Sequence, residues 1–370
     1  MARPRPLLAV VVLGLLGLLA AMLVPGARAT DPSPGRTVPG GPLPVKVMTR
    51  NLYLGADLRP AIAATTPEQA RTAVASIFSV VRRTNFPERA VALARELADA
   101  DPVLVGLQEV AAWYRGPLGD PAPATTVEYD FLEILLRELA AAGAPYSVVR
   151  VQDEADIEGP AGAPFLHDVR LVQRDAVLVK AGLEADVGLE AVRSGHFVTT
   201  LVVPTGSGQV VAVKRGWISV DATVDGRAFR FVNTHLEAFH PLIRLGQAGE
   251  LVAPTGPIGS APGDVVLAGD LNTGPELPDH TNRLAFHALV AAGLTDTWRA
   301  LHPTDPGYTS GFGELLDEPP GALEHRVDHV MTRGSVGLVD SRRYGADPDD
   351  RTAGGLWPSD HAGVAATILP

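Results

Sequence analysis

Six short apolar segments of this chain run into residues that bind metals or move protons, and this recurrence constrains the fold more than any other feature. Val45 to Met48 leads into Thr49-Arg50-Asn51, and Val103 to Leu107 into Gln108-Glu109. Phe229 to Val232 leads into Asn233-Thr234-His235, and Val265 to Ala268 into Gly269-Asp270-Leu271-Asn272. Val327 to Met331 carries Asp328 within it, and Ser359-Asp360-His361 precedes a last apolar run. Runs of this length, rich in Val and Leu, read as buried strands. Polar residues at strand ends, drawn from distant parts of a chain, are how an open sheet assembles one site along an edge. One such segment is ordinary, because Asp and Asn also serve turns. Six point to a shared site.

Helices and turns fill the intervals. Pro67 after Thr66 opens one helix, and Pro87 opens another with the apolar stripe Ala90, Leu93, Ala94, Leu97. Phe197 to Val203 and Val210 to Val220, around Gly206-Ser207-Gly208 and before Asp225-Gly226, read as antiparallel strands with tight turns. Helices early and hairpins later predict an α/β chain with two sheets packed face to face and helices outside. Asp153 to Pro164 and Thr255 to Gly263 read as loops inside a single domain, 45–370. Ahead of it, Arg3 and Arg5, the uncharged run Leu7 to Val24 and Ala27-Arg28-Ala29 form a signal-peptide pattern cut after Ala29. The competing reading is an uncleaved anchor. Thr30 to Pro44 is a Pro- and Gly-rich flexible leader. Cleavage removes Arg3, Arg5 and Arg28 and takes the formal charge from −11 to −14, so the expected product is secreted and acidic.

Composition removes whole chemistries. The chain has no cysteine, which excludes disulfides, thiolate catalysis, Cys-zinc sites and iron–sulfur clusters. Glu109, Asp270, Asp328 and Asp360, with Asn51 and Asn272, offer hard oxygen donors suited to Mg²⁺, Mn²⁺ or Ca²⁺. Zinc hydrolysis lacks its His-Glu-x-x-His, and the His325/His329 pair falls in a segment that reads as strand. His235 and His361 add groups that carry protons near neutral pH. Carboxylates, two histidines and a divalent cation form a kit for phosphoester cleavage. A nucleophile elbow, a P-loop and a dinucleotide-binding glycine pattern are all missing.

The ordered set Asn51, Leu107-Gln108-Glu109, Asn233-Thr234-His235-Leu236, Gly269-Asp270-Leu271-Asn272, Arg326-Val327-Asp328-His329 and Ser359-Asp360-His361 resembles the endonuclease/exonuclease/phosphatase superfamily. That resemblance implies a four-layer α/β/β/α sandwich and metal-dependent phosphoester hydrolysis. It implies Glu109 as principal metal ligand, helped by Asn51 and Asp360. Asp270 would orient or deprotonate the attacking water, and Asn272 would hold the phosphate. His361, paired with Asp328, would act as base or phosphate stabiliser, and His235 would donate to the phosphate or leaving group. Two places depart from the family pattern. Leu52-Tyr53-Leu54 stands where many nucleases place a second acid, and no middle motif is recognisable around Asp168 to Val179, although Asp175 lies near it.

Substrate class is read from charge and apolar surface. A nuclease needs cations along its groove, and Arg50, Arg82, Arg83, Arg170, Arg174, Lys214 and Arg215 are the candidates for a basic rim. A lipid-active phosphodiesterase needs an apolar hairpin tip, whereas Pro204-Thr205-Gly206-Ser207-Gly208-Gln209 is polar. Phe239, Leu242 and Ile243 offer an apolar lip instead. A soluble phosphoester is expected, nucleic acid ahead of a phospholipid head group, with no stable membrane insertion after cleavage. The alternatives are a sphingomyelinase- or inositol-phosphate-phosphatase-like enzyme and, in another class, an inactive secreted binding protein on the same fold.

Overall fold

A computed structural model describes residues 43–204 and 210–370. The expected signal peptide, nearly all of the expected leader and the turn expected over Thr205–Gln209 lie outside the described residues. In chain order the elements are β1 (Val45–Asn51), α1 (Arg59–Ile62), α2 (Pro67–Arg83), α3 (Phe86–Ala100), β2 (Leu104–Gln108), β3 (Ala112–Pro117), β4 (Thr126–Asp130), α4 (Phe131–Ala141), β5 (Tyr146–Pro160), β6 (His167–Lys180), β7 (Glu190–His196) and β8 (Leu201–Pro204). There follow β9 (Val210–Val213), β10 (Gly216–Val224), β11 (Arg227–His235), α5 (Pro241–Val252), β12 (Asp264–Asp270), α6 (His280–Ala291), β13 (Thr295–Asp296), α7 (Thr297–Leu301), β14 (Asp328–Arg333), β15 (Gly337–Tyr344) and β16 (Gly363–Leu369).

The two main sheets are mixed. One runs β15-β16-β1-β2-β6-β3-β4, with β5 along the other side of β6, and the second runs β13-β14-β12-β11-β10-β7. Strand periodicity separates the cores. Val45 and Val47 of β1 face Ile218, Phe231 and Val266 between the sheets, while Met48 faces Phe78, Phe86 and Leu93 of the helices. On the far side of the second sheet, Val265 and Leu267 meet Ala248 and Leu251 of α5 and Phe286 of α6. Helices, sheet, sheet and helices therefore stack in four layers, as expected. Both proline-opened helices form: Thr66 caps α2 by accepting from the Gln69 N–H, and α3 buries the Ala90–Leu97 stripe.

Two expectations about the middle of the chain are corrected. Most of Asp153–Pro164 is strand, because β5 pairs with β6 from Tyr146↔Lys180 to Pro160↔Asp168. Its exposed and half-buried residues alternate, and such a strand resembles a polar loop by composition. The Val210–Val220 run is two strands, broken at Lys214 and Arg215. The first half forms a separate ribbon with β8, and the second enters the main sheet as β10. Asp225-Gly226 does close the next hairpin, with positive φ at both residues (51° and 73°).

One buried side chain ties the sheets together. Asn233 of β11 donates through Nδ2 to the carbonyls of Leu107 and Ala176 (both 3.0 Å) and accepts from Gln108 Nε2 (2.6 Å). Gly106 makes room for it, since a Cβ there would lie 2.5 Å from Asn233 Oδ1. Removing the carboxamide strands buried polar groups, at about 1–3 kcal/mol. Asn233→Ala and Gly106→Ala are each expected to lower unfolding stability by about that amount, measured by urea titration. Wild-type midpoints in both variants would contradict the bridge.

Candidate active site

The register of the sheets lines up the functional residues. Parallel β1 and β2 end together, with Asn51 opposite Gln108 and Glu109 next in the chain. Parallel β11 and β12 place His235 opposite Asp270, and antiparallel β14 places Asp328 on Asp270's other side. His235, Asp270 and Asp328 thus occupy one end of three adjacent strands. Asn51 joins the two sheets there, its Nδ2 donating to Asp270 Oδ2 (3.1 Å). Tyr53, Glu109 and Asn272 all have left-handed backbone, with φ of 58°, 55° and 49°. Non-glycine residues rarely adopt it, and such outliers gather where a site over-determines the chain.

Asp270 is the hub. Besides Asn51 it accepts from the Asn272 N–H on Oδ1 (2.9 Å), and His235 Nε2 lies 3.4 Å from Oδ2. Burial pushes its carboxyl up to about 6, against the pull of His361 and with a further push from Asp328. His361 holds Asp328 Oδ2 through Nδ1 (2.8 Å). Burial opposes its charge, but Asp328, Asp360 and Asp270 outweigh that and hold the ring well above its ordinary value, so it is an imidazolium near neutral pH. His235 is the opposite case. Burial, then Arg215 and His361, hold it well below its ordinary value and neutral.

Asp270, Asp328 and His361 each bring one donor atom within 4.8 Å of the others. That trio is better described as an ion pair beside a carboxylate, because an imidazolium directed at Asp328 has no lone pair for a metal. Glu109 and Asp360 differ. Both keep a solvent-accessible edge. Burial raises each carboxyl; Asp360 raises Glu109 further, and Asp270 and Asp328 raise Asp360, against the opposing pull of His361. The Leu54 N–H holds Glu109 Oε2 (2.7 Å), and Ser359 Oγ lies 3.3 Å from Asp360 Oδ1. An accessible set of oxygen donors with excess negative charge fits a hard divalent cation.

The sequence profile of the Endonuclease/Exonuclease/phosphatase family matches residues 81–361. The chain belongs to that family. An endonuclease/exonuclease/phosphatase family protein from Bacteroides thetaiotaomicron has a similar structure at 16% identity, TM-score 0.52, covering 88% of this chain and 98% of that one. A humanized D. rerio TDP2 carrying 14 mutations is similar at 17% identity and TM-score 0.51, covering 88% and 99%. A family protein from Leptotrichia buccalis is similar at 16% identity and TM-score 0.51, also covering 88% and 99%. No curated protein matches in sequence.

All eight residues expected from the family motifs meet at this edge, but several neighbours escaped sequence reasoning. Arg89 is fully buried and donates to the carbonyls of Thr84, Leu52, Pro358 and Tyr53 (2.7–3.1 Å). It therefore clasps the loop after Asn51 to the loop before Ser359. Its signal was present: Arg89, Leu93 and Glu96 share one helix face, so two charges lie in an apolar stripe. Glu96 in turn holds Arg50 (2.9 and 3.0 Å), whose Nη1 reaches the His361 carbonyl. Asp175 is buried in the site's surroundings, its carboxyl pushed up to about 7 by burial. Asp57 instead pairs with Arg59 on the surface (2.8 Å).

The basic rim does not form as expected. Arg50 and Arg215 are buried, Arg170 pairs with Asp156 and Arg174 with Asp130 (both 2.7 Å). Arg82 shares Glu128 with Arg115, which leaves Arg83 and Lys214 as the exposed members of that set without an ion pair among the described residues.

Raised carboxyls give the metal-free fold a definite pH response. Between the ordinary values, 4.5 for Glu109 and 3.8 for Asp360, and their higher folded ones, the folded chain binds more protons than the unfolded. This contribution to stability is therefore lost as pH rises through the folded values. A bound cation replaces those protons and reverses the slope. The rise in Tm on adding Mg²⁺ or Mn²⁺ is expected to be larger at about pH 8 than at about pH 5. A pH-independent rise, or none, would remove these carboxylates as ligands.

Proposed function

We propose that residues 45–370 form a divalent-metal-dependent phosphoester hydrolase, secreted after cleavage behind Ala29. The observation that carries this reading is Asp270 held between an imidazolium pair and an acidic, solvent-accessible oxygen site. Glu109, Asp360 and the second lone pair of Asn51 Oδ1 would hold the cation, Mg²⁺ or Mn²⁺ in preference to Ca²⁺. When bound it supplies positive charge against the phosphate oxygens. Asp270 takes the proton of the attacking water as the water oxygen bonds to phosphorus; the P–O bond to the leaving alkoxide breaks, and that oxygen takes a proton from solvent. His361, kept charged by Asp328, donates to a phosphoryl oxygen as negative charge grows there. Asn272 anchors the loop beside the phosphate, its Nδ2 donating to the Leu236 carbonyl (2.9 Å). His235 faces Asp270, which assigns it to orienting that carboxylate instead of meeting the leaving group.

For substrate, a nucleic-acid end or a small soluble phosphodiester fits best. A D. rerio TDP2 of similar fold, at 16% identity, holds a single-strand DNA product. With few unpaired cations on the expected rim, the surface suits contact with one or two phosphates more than tracking along a duplex. A phospholipid head group is the second reading. Phe239 and Leu242 stand 52% and 55% exposed just after the His235 motif, although Ile243 is buried.

Purified chain is expected to hydrolyse bis(p-nitrophenyl) phosphate with Mg²⁺ or Mn²⁺ and to stop in EDTA. Glu109→Ala and His361→Ala should each lower kcat by about 10²–10³-fold while the fold persists. Activity retained in chelator would overturn the metal assignment, and wild-type kcat in either variant would remove that residue from the mechanism. A panel of single-stranded DNA, duplex DNA, RNA, inositol phosphates and sphingomyelin vesicles ranks the substrates. Preference for vesicles would favour the second reading. Cation binding with no hydrolysis in any arm would favour a binding protein.

A further inference from the structure

Arg215 belongs to none of the motifs above, yet its guanidinium enters the site. It sits between β9 and β10, is 5% exposed, and places Nη1 2.9 Å from His235 Nδ1. It has no carboxylate oxygen within ion-pair distance among the described residues, and its Nε lacks a hydrogen-bond partner there. Glu154 of β5, Asp175 of β6 and Glu109 lie around it without forming an ion pair with it, and His196 Nε2 lies 3.6 Å from Glu154 Oε2. Nη1 of the arginine is thus directed at an imidazole instead of a carboxylate.

A guanidinium offers only donors. Nδ1 of His235 must accept from it, and the ring's one proton then lies on Nε2, 3.4 Å from Asp270 Oδ2. The reverse tautomer would set donor against donor at Arg215, whereas the 3.4 Å contact to Asp270 is too long to select either form. We propose that Arg215 is a positioning residue that fixes His235 as the neutral Nε2–H tautomer and, through it, orients Asp270. The consequence is specific to atoms. Asp270 Oδ2 accepts from Asn51 Nδ2 and faces His235 Nε2, whereas Oδ1 accepts only the Asn272 N–H among the described residues and keeps one lone pair. That Oδ1 lone pair is where the proton of the attacking water goes. This last step rests on the hydrolase reading; the tautomer does not.

The test uses ¹⁵N-histidine-labelled full chain and long-range ¹H–¹⁵N correlation near neutral pH, with His235 assigned by comparison with His235→Gln. The expected wild-type spectrum has an unprotonated Nδ1 and a protonated Nε2. Arg215→Met is expected to shift the ring to mixed or reversed tautomers and to lower kcat by about 10–100-fold, with KM changed less. Arg215→Lys, which keeps a charged donor, should retain the wild-type tautomer and recover part of kcat. A protonated Nδ1 in wild type would overturn the proposal, as would an unchanged tautomer in folded Arg215→Met. Should that variant not fold, the wild-type and Arg215→Lys spectra decide. If every substrate fails, the spectra still test Arg215 while the hydrolase reading falls alone.

Discussion

Asn233 reaches from one sheet to three hydrogen bonds on the other, and the site at the sheet ends depends on that bridge. Glu109 follows β2, Asp175 lies on β6, and His235 is two residues beyond Asn233 on β11. Their separation is set by how the two sheets lie on each other. Apolar packing between Val47, Leu104, Phe231 and Val266 draws the sheets together but is tolerant of sliding. Directional hydrogen bonds to a buried carboxamide are not tolerant, because a displaced bridge leaves polar groups without partners. Gly106 is part of the same device, since only a residue without Cβ admits the carboxamide.

A second set of buried charges fixes the loops that leave those strands. Arg89 spends its donors on main-chain carbonyls and is stacked near Phe86, 4.9 Å from its ring centroid. Burial lowers it only to about 10, so it stays charged. Arg50 holds the His361 carbonyl and is itself held by Glu96. Buried arginines of this kind add little net stability, because desolvation offsets much of their attraction. Their effect is positional: Asn51 ends β1, Glu109 and Asp360 are carried on loops, and the loops after Asn51 and before Ser359 are fixed from below by α3. The site is thus assembled from mobile kinds of segment on a rigid frame.

What the sequence made legible follows from the same physics. Strand ends were readable because a buried apolar run that stops at a carboxylate, carboxamide or histidine changes character within one residue. Tyr146–Pro160 was obscured because a half-exposed strand pairs along its backbone and leaves polar side chains in solvent. The break at Lys214 was invisible because one apolar run does not say that its halves join different sheets. Arg50 and Arg215 were read as rim cations because charge is ordinarily exposed. Their environment comes from Glu96 and His235, contacts that local pattern does not encode. Arg89 escapes as well, although its place on the apolar face of α3 carries the signal of burial.

Two sheet ends converge on an oxygen site beside an imidazolium pair, and the proposed cation lies on the Glu109 side. Anomalous diffraction from crystals of the protein soaked in Mn²⁺ locates the cation. A manganese peak bonded to Glu109 and Asp360, with His361 still hydrogen-bonded to Asp328, is expected. A peak bonded to His361 and Asp328, or none at saturating Mn²⁺, would contradict it.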